Sequence, residues 1–190
     1  MNRREAVSRV ALLLGGTVIG AEFFLTGCKT EVTTYGASLN FTPQDIGYLD
    51  EIAETIIPET DTPGAKAAKV GEFMTVMVTD CYDEENQKAF LEGMTKINDA
   101  SNTKFGHGFM KANPDQRKEL LVEIDKEQSE YGKNKKREDP PHYFSLMKQL
   151  TLLGFFTSKP GATQALRYEA VPGRYDGCMP YKKGDKAWAT

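Results

Sequence analysis

The stretch from His142 to Phe156, HYFSLMKQLTLLGFF, constrains this chain more than any other. Only Ser145, Lys148 and Gln149 give it a polar stripe, and that stripe is narrow. At helical spacing the segment is apolar nearly all round, and such a helix has to be covered on most sides. The rest of the chain must therefore wrap it as a central core helix, or leave part of it for a partner. No segment after the N-terminus is long and uncharged enough to span a bilayer, which takes ~20 apolar residues.

The segments available for wrapping also read as helices. Thr42-Pro43-Gln44-Asp45 is a helix start: Thr42 can cap, Pro43 suits the first position, and Asp45 suits the positive end of the dipole. Ile46, Leu49, Ile52, Ala53 and Ile56 follow at steps of three and four, and Pro58 ends the stripe. Residues 58–65 are turn formers at nearly every position. A second helix is expected from about Ala65 to Asp80, with Val70, Phe73, Met74, Met77 and Val78 inward. A third is expected from about Glu84 to Asn98 on Phe90, Leu91, Met94 and Ile97. Residues 101–112 read as irregular, with Gly106 and Gly108. Asn113-Pro114 repeats the cap-plus-proline start, and Leu120, Leu121 and Ile124 carry that helix toward Tyr131. Lys133–Asp139 reads as a solvated charged loop. Ser158-Lys159-Pro160 starts one more short helix through Tyr168. From Glu169 the prolines, glycines and tyrosines of Val171–Tyr181 predict an ordered loop. With no repeat and no alternating β pattern, the fold class is all-α: one compact domain of about five to six helices.

The N-terminus reads as an address. Arg3-Arg4 precede a short apolar run, Val10–Ala21, that Glu22 interrupts. A basic region before a short apolar one is secretory logic, and the paired arginines point to twin-arginine export of folded proteins. Asn2 and Ala6-Val7 are weak versions of the residues that usually flank such a pair. Leu25-Thr26-Gly27-Cys28 then matches a lipobox, in which the cysteine thiol takes a diacylglycerol. Acyl chains hold a protein at a bilayer through about 0.8 kcal/mol per buried CH₂. The expected organisation is residues 1–27 as signal peptide, 28–40 as a flexible tether and 41–190 as the helical domain. The expected location is the periplasmic side of the envelope, as a membrane-anchored lipoprotein.

Chemistry of its own is hard to find in this chain. A net charge of −3 and a pI near 5.5 give no basic footprint for nucleic acid. His107 and His142 are the only histidines, without HExxH or HxxxH spacing. His142 fits a partly buried helix start with one hydrogen bond, and His107, between glycines, fits a solvent-facing loop. No GxGxxG follows a strand and no GxSxG occurs. Carboxylate pairs such as Asp50-Glu51 and Glu84-Glu85 fit exposed helix faces. No catalytic, cofactor-binding or metal-binding residue is assigned. Three cysteines are an odd number for an oxidising compartment, and none has CxxC or CxxCH spacing. If Cys28 is lipidated, Cys81 and Cys178 are left. They can bridge each other, which in the chain-entropy model stabilises by up to ~4.7 kcal/mol for a loop of ~100 residues. They can also bridge a partner, or stay free.

The chain resembles the gluconate 2-dehydrogenase subunit 3 family, the small subunits of membrane-associated flavin dehydrogenases. The resemblance rests on Arg3-Arg4, Phe41-Thr42-Pro43, the run Ile56-Ile57-Pro58-Glu59-Thr60-Asp61-Thr62-Pro63-Gly64-Ala65, Leu152–Ser158 and Pro172–Gly177. The run Ile56–Ala65 is its most specific part. It also fits a structural job, with Asp61 capping the N–H groups of the turn, as well as it fits a partner contact.

The resemblance implies an accessory role. The large subunit holds FAD and oxidises a sugar or polyol such as gluconate, and a cytochrome c subunit receives the electrons. The small subunit supports export, assembly and membrane docking. The docking surface expected for it is the loop Val171–Tyr181 with the exposed face of the 142–156 helix. Tyr168, Arg174, Tyr175, Tyr181 and Trp188 are its anchors, of types favoured at interfaces, though the aromatics can equally pack the tail onto the domain. A stand-alone envelope lipoprotein that binds or scaffolds is the alternative reading, and an enzyme without a recognisable motif is a third.

Overall fold

The computed structural model describes residues 35–174 and 176–189. Arg3, Arg4, Cys28 and Tyr175 lie outside the described residues.

Helix α1 (Pro43–Ile56) begins with a reciprocal cap. Thr42 Oγ1 accepts from the Asp45 amide at 3.2 Å, and Asp45 Oδ2 accepts from the Thr42 amide at 2.9 Å. Asp45 is buried, and its other oxygen accepts from the Gly36 amide at 3.1 Å. The ring of Tyr35 stacks on Tyr48 with centroids 4.0 Å apart, and the Thr95 hydroxyl donates to the Tyr35 carbonyl at 2.9 Å. Tyr35 is thus packed where a tether was expected, because an aromatic ring with a buried partner gains more from contact than from chain freedom.

Helix α2 (Val70–Cys81) starts later than the expected Ala65. Residues 65–69 are turns, and Lys69 adopts left-handed backbone at φ 56°. The helix has no cap from its own side chains; α1 supplies one, since Asp50 Oδ1 accepts from the Gly71 amide at 2.8 Å. Gly71 is required there, as a Cβ would lie 2.6 Å from the Ile46 carbonyl oxygen.

Helix α3 (Glu84–Phe105) is capped by Asp83, whose carboxylate accepts from the Asn86 amide at 2.8 Å. It runs past the expected end at Asn98. The polar residues at and just past that end are bonded inside the fold. The hydroxyl of buried Ser101 donates to the His107 carbonyl at 3.0 Å, and Asn98 Oδ1 accepts from the Phe109 amide at 3.2 Å. Gly106, at φ 77°, ends the helix, and a 3₁₀ turn (Phe109–Lys111) leads on. Helix α4 (Pro114–Asn134) opens with a second reciprocal cap, between Asn113 and Gln116.

Helix α5 (Tyr143–Thr157) packs against all four other helices. Phe144, Met147, Leu150 and Phe155 join Tyr48, Ile52, Met74 and Phe90 in one core. The wrapping expected from the sequence is therefore real. It is incomplete over the last turns, where Leu152, Leu153 and Phe156 are 43%, 43% and 40% exposed.

The chain then departs from expectation. The short helix expected from Ser158-Lys159-Pro160 does start there, with Ser158 Oγ accepting from the Gly161 amide at 3.1 Å, but it continues as a π turn (Gly161–Ala165) and stops short of Tyr168; β1 (Arg167–Tyr168) follows and pairs in parallel with β2 (Trp188–Ala189). The Arg167 and Glu169 amides donate to the Ala187 and Ala189 carbonyls, each at 2.8 Å, so helix continuation loses its donors. The class is all-α, with this two-residue pair its only strand structure among the described residues. No helix among the described residues is long and apolar enough to cross a membrane.

Candidate functional site

The groups with chemical potential are dispersed. His142 is the N-cap of α5, where its Nδ1 accepts from the Phe144 amide at 3.3 Å. Burial lowers its pKa, only partly opposed by Glu127, whose carboxylate lies 3.8 Å from Nε2. His107 is half-buried rather than solvent-facing, with Nδ1 buried and unpartnered among the described residues. Cys81 ends α2 and Cys178 lies beyond β1; both are exposed and free, so the structure does not bring them into a bridge. No group of three or more His, Cys, Asp or Glu able to hold a metal occurs among the described residues. Three surface recesses, of about 320, 260 and 460 Å³, have neither Cys nor His in their linings.

The acidic face of α1 is a staple rather than an exposed surface. Glu51 binds both Lys66 and Arg117. Burial alone would raise its pKa, but the Lys66 hydrogen bond and the Arg117 charge outweigh that and hold it below the usual value. Asp50 has the opposite balance: burial raises its pKa more than the Gly71 amide lowers it. One turn on, Glu54 clasps the loop after α1. Its two oxygens accept from the Glu59 and Lys66 amides, each at 2.8 Å. A Cβ on Gly64 would fall 2.3 Å from that carboxylate. The loop-capping role expected of Asp61 therefore belongs to Glu54, while Asp61 is exposed. The reason is reach: a carboxylate on rigid α1 spans both ends of the loop, and Asp61 rides on the loop itself.

The remaining candidates gather at the C-terminal end. Tyr168 and Trp188 meet through the β1–β2 pair, in which Tyr168 faces Ala189 and Arg167 faces Trp188. The Arg167 guanidinium sits 4.5 Å from the centroid of the Trp188 ring. The intervening residues form a closed arm that carries Tyr181 and Arg174. Arg174 lies 3.7 Å from Asp176 and is almost fully exposed. Tyr168, Tyr181 and Trp188 are all exposed and none belongs to the core, so they do not pack the tail onto the domain. The π turn contacts both α5 and β1, and so joins the half-covered end of α5 to this arm.

The family described as Gluconate 2-dehydrogenase subunit 3 matches residues 43–173, from the first residue of α1 through all five helices. The chain belongs to that family. Its family name makes it a subunit of a multi-subunit dehydrogenase complex. No curated protein and no solved structure matches it significantly. The matched span includes the Glu54-clasped loop and stops at Gly173, inside the arm. In this subunit 3 member the shared segment is thus the helical body and the first part of the arm, and Tyr181 and Trp188 lie past it.

Sequence reasoning missed Glu54, Arg117 and Arg167. Glu54 had a usable signal: it sits one turn after Asp50 on the polar side of the α1 stripe, next to a loop rich in backbone donors. Arg117 and Arg167 gave none, because their partners are far away in sequence.

Proposed function

We propose that this chain is the non-catalytic small subunit of an exported, FAD-dependent dehydrogenase of sugars, polyols or gluconate. In this reading it supports twin-arginine export, assembly and membrane docking of the flavoprotein subunit. Family membership over residues 43–173 is the observation that carries it. The flavin and the oxidation chemistry belong to the large subunit, and a cytochrome c subunit takes the electrons onward. A large subunit without a signal of its own would cross the membrane folded, bound to a small subunit that has one. Arg3-Arg4 would supply that signal and a lipid on Cys28 would hold the complex at the periplasmic face.

The test is purification from native membranes in mild detergent, with a tag on a linker after Thr190. A flavoprotein should accompany the chain in fixed ratio; its absence overturns the accessory reading. Cys28→Ser should move the chain from the membrane to the soluble fraction, and an unchanged distribution overturns the lipid anchor.

A further inference from the structure

The arm between β1 and β2 is held shut at its base and turned at points among its described residues. The two strand hydrogen bonds close the base, the Arg167–Trp188 stack covers them, and the Lys186 ammonium donates to the Gln164 carbonyl. Further out, the Arg174 amide donates to the Pro172 carbonyl at 2.8 Å, and the Lys182 amide to Asp185 Oδ2 at 2.9 Å. Gly173 and Gly184, at φ 69° and 97°, permit the bends. None of these bonds buries the arm's apolar side chains. Val171 and Tyr181 are each 76% exposed and Trp188 is 50% exposed, with Met179 exposed beside them. A loop with its shape already set loses little conformational entropy when its side chains are captured.

Charge distinguishes the arm further. It carries five basic residues, Arg167, Arg174, Lys182, Lys183 and Lys186, against three acidic ones, while the whole chain is net −3. The arm is thus a basic, aromatic-rich projection on an otherwise acidic molecule. Its acidic residues, Glu169, Asp176 and Asp185, are interleaved with the basic ones. An anionic bilayer would repel them, whereas a protein surface of mixed charge can pair with both signs.

We infer that this arm is the docking element for the partner subunit. It inserts Tyr181 and Trp188 into an apolar recess whose rim carries charges of both signs, with acidic groups facing Lys182 and Lys183. The inference rests on the assembly reading above and assigns it a surface: the arm, rather than the grooves of the helical body, makes the contact.

The experiment uses the full chain in its native membranes. It compares wild type, Tyr181→Ala with Trp188→Ala, and Lys182→Glu with Lys183→Glu. Loss of two aromatic anchors should lower flavoprotein recovery about ten-fold or more, the effect of removing about 1.4 kcal/mol. Charge reversal should lower it several-fold and weaken its dependence on salt. Circular dichroism and thermal midpoint should match wild type, since the altered side chains are outside the core. If wild type brings no flavoprotein, the assembly reading fails and takes this inference with it. If wild type does and both variants recover it equally, the arm is not the docking element, while the assembly reading stands. If charge reversal spares recovery but abolishes binding to phosphatidylglycerol vesicles, the arm is a lipid contact and the inference is overturned.

Discussion

The helical body and the C-terminal arm use aromatic residues in opposite ways. In the body, Tyr48 is fully buried, its hydroxyl donates to the Met94 carbonyl at 2.9 Å, and its ring meets Tyr35 and Phe109. In the arm, Tyr181 and Trp188 face water on a backbone fastened by its own hydrogen bonds. The body gains its stability from burial. The arm gains its shape from a clasp and leaves its apolar surface unspent. Among the described aromatics the body leaves only Phe156 exposed, whereas the arm exposes Tyr168, Tyr181 and Trp188, so folding rests on the first set and not on the second.

That division can be broken most forcefully on α5. Met147→Ala removes a fully buried side chain from the helix that all the others touch, and should cost about 2–5 kcal/mol in urea unfolding. Leu152→Ala, on the exposed side of the same helix, should stay within ~0.5 kcal/mol. Equal losses from the two would mean that the exposed side of α5 is not exposed in solution.

A smaller effect is expected at the staple. Glu54→Ala leaves two loop amides to water and should cost about 1–2 kcal/mol, with faster amide exchange at Glu59 and Lys66. Unchanged exchange would show that the loop after α1 is held by its turns alone.

Smaller again is a pH effect at the α5 cap. Burial keeps the His142 pKa below its ordinary 6.5, so the unfolded chain binds this proton more readily than the folded one. Stability from this residue is complete above about pH 6.5 and declines as pH falls from there toward the lowered folded pKa. Protonation also removes the Nδ1 acceptor from the Phe144 amide. The urea midpoint of wild type should fall between pH 7.5 and 5.5 by more than that of His142→Gln; parallel curves would overturn this.

The smallest effect is predicted in the arm. Trp188→Ala should leave the unfolding free energy within ~0.5 kcal/mol while raising protease cleavage between Glu169 and Ala187, since only the clasp is weakened. A large loss of global stability would merge arm and body into one unit.

The body was legible from sequence for a physical reason. Its signals are local: Thr42-Pro43 and Asn113-Pro114 cap helices through residues three positions away, and the stripe Ile46–Ile56 reports its own buried face. The errors fall where long-range partners decide. Asn98 read as a helix end and Ser101 as a loop residue until a folded-back turn satisfies them. Asp50 and Glu51 read as surface until α2 and α4 arrive. The helix after Ser158 was expected to reach Tyr168 rather than stop at Ala165, because nothing local announces that the Arg167 and Glu169 amides will be claimed by residues twenty positions away. The arm's aromatics were legible as interface types, but the clasp that presents them was not.

The clasp also has a place in time. During vectorial synthesis β2 is made after every helix, so the body can condense while the arm is still an open strand end. Closure of the arm then comes last, as a maturation step separate from folding of the body. A chain cut before Trp188 would keep its core and lose the closure, a defect that no measurement of global stability would register.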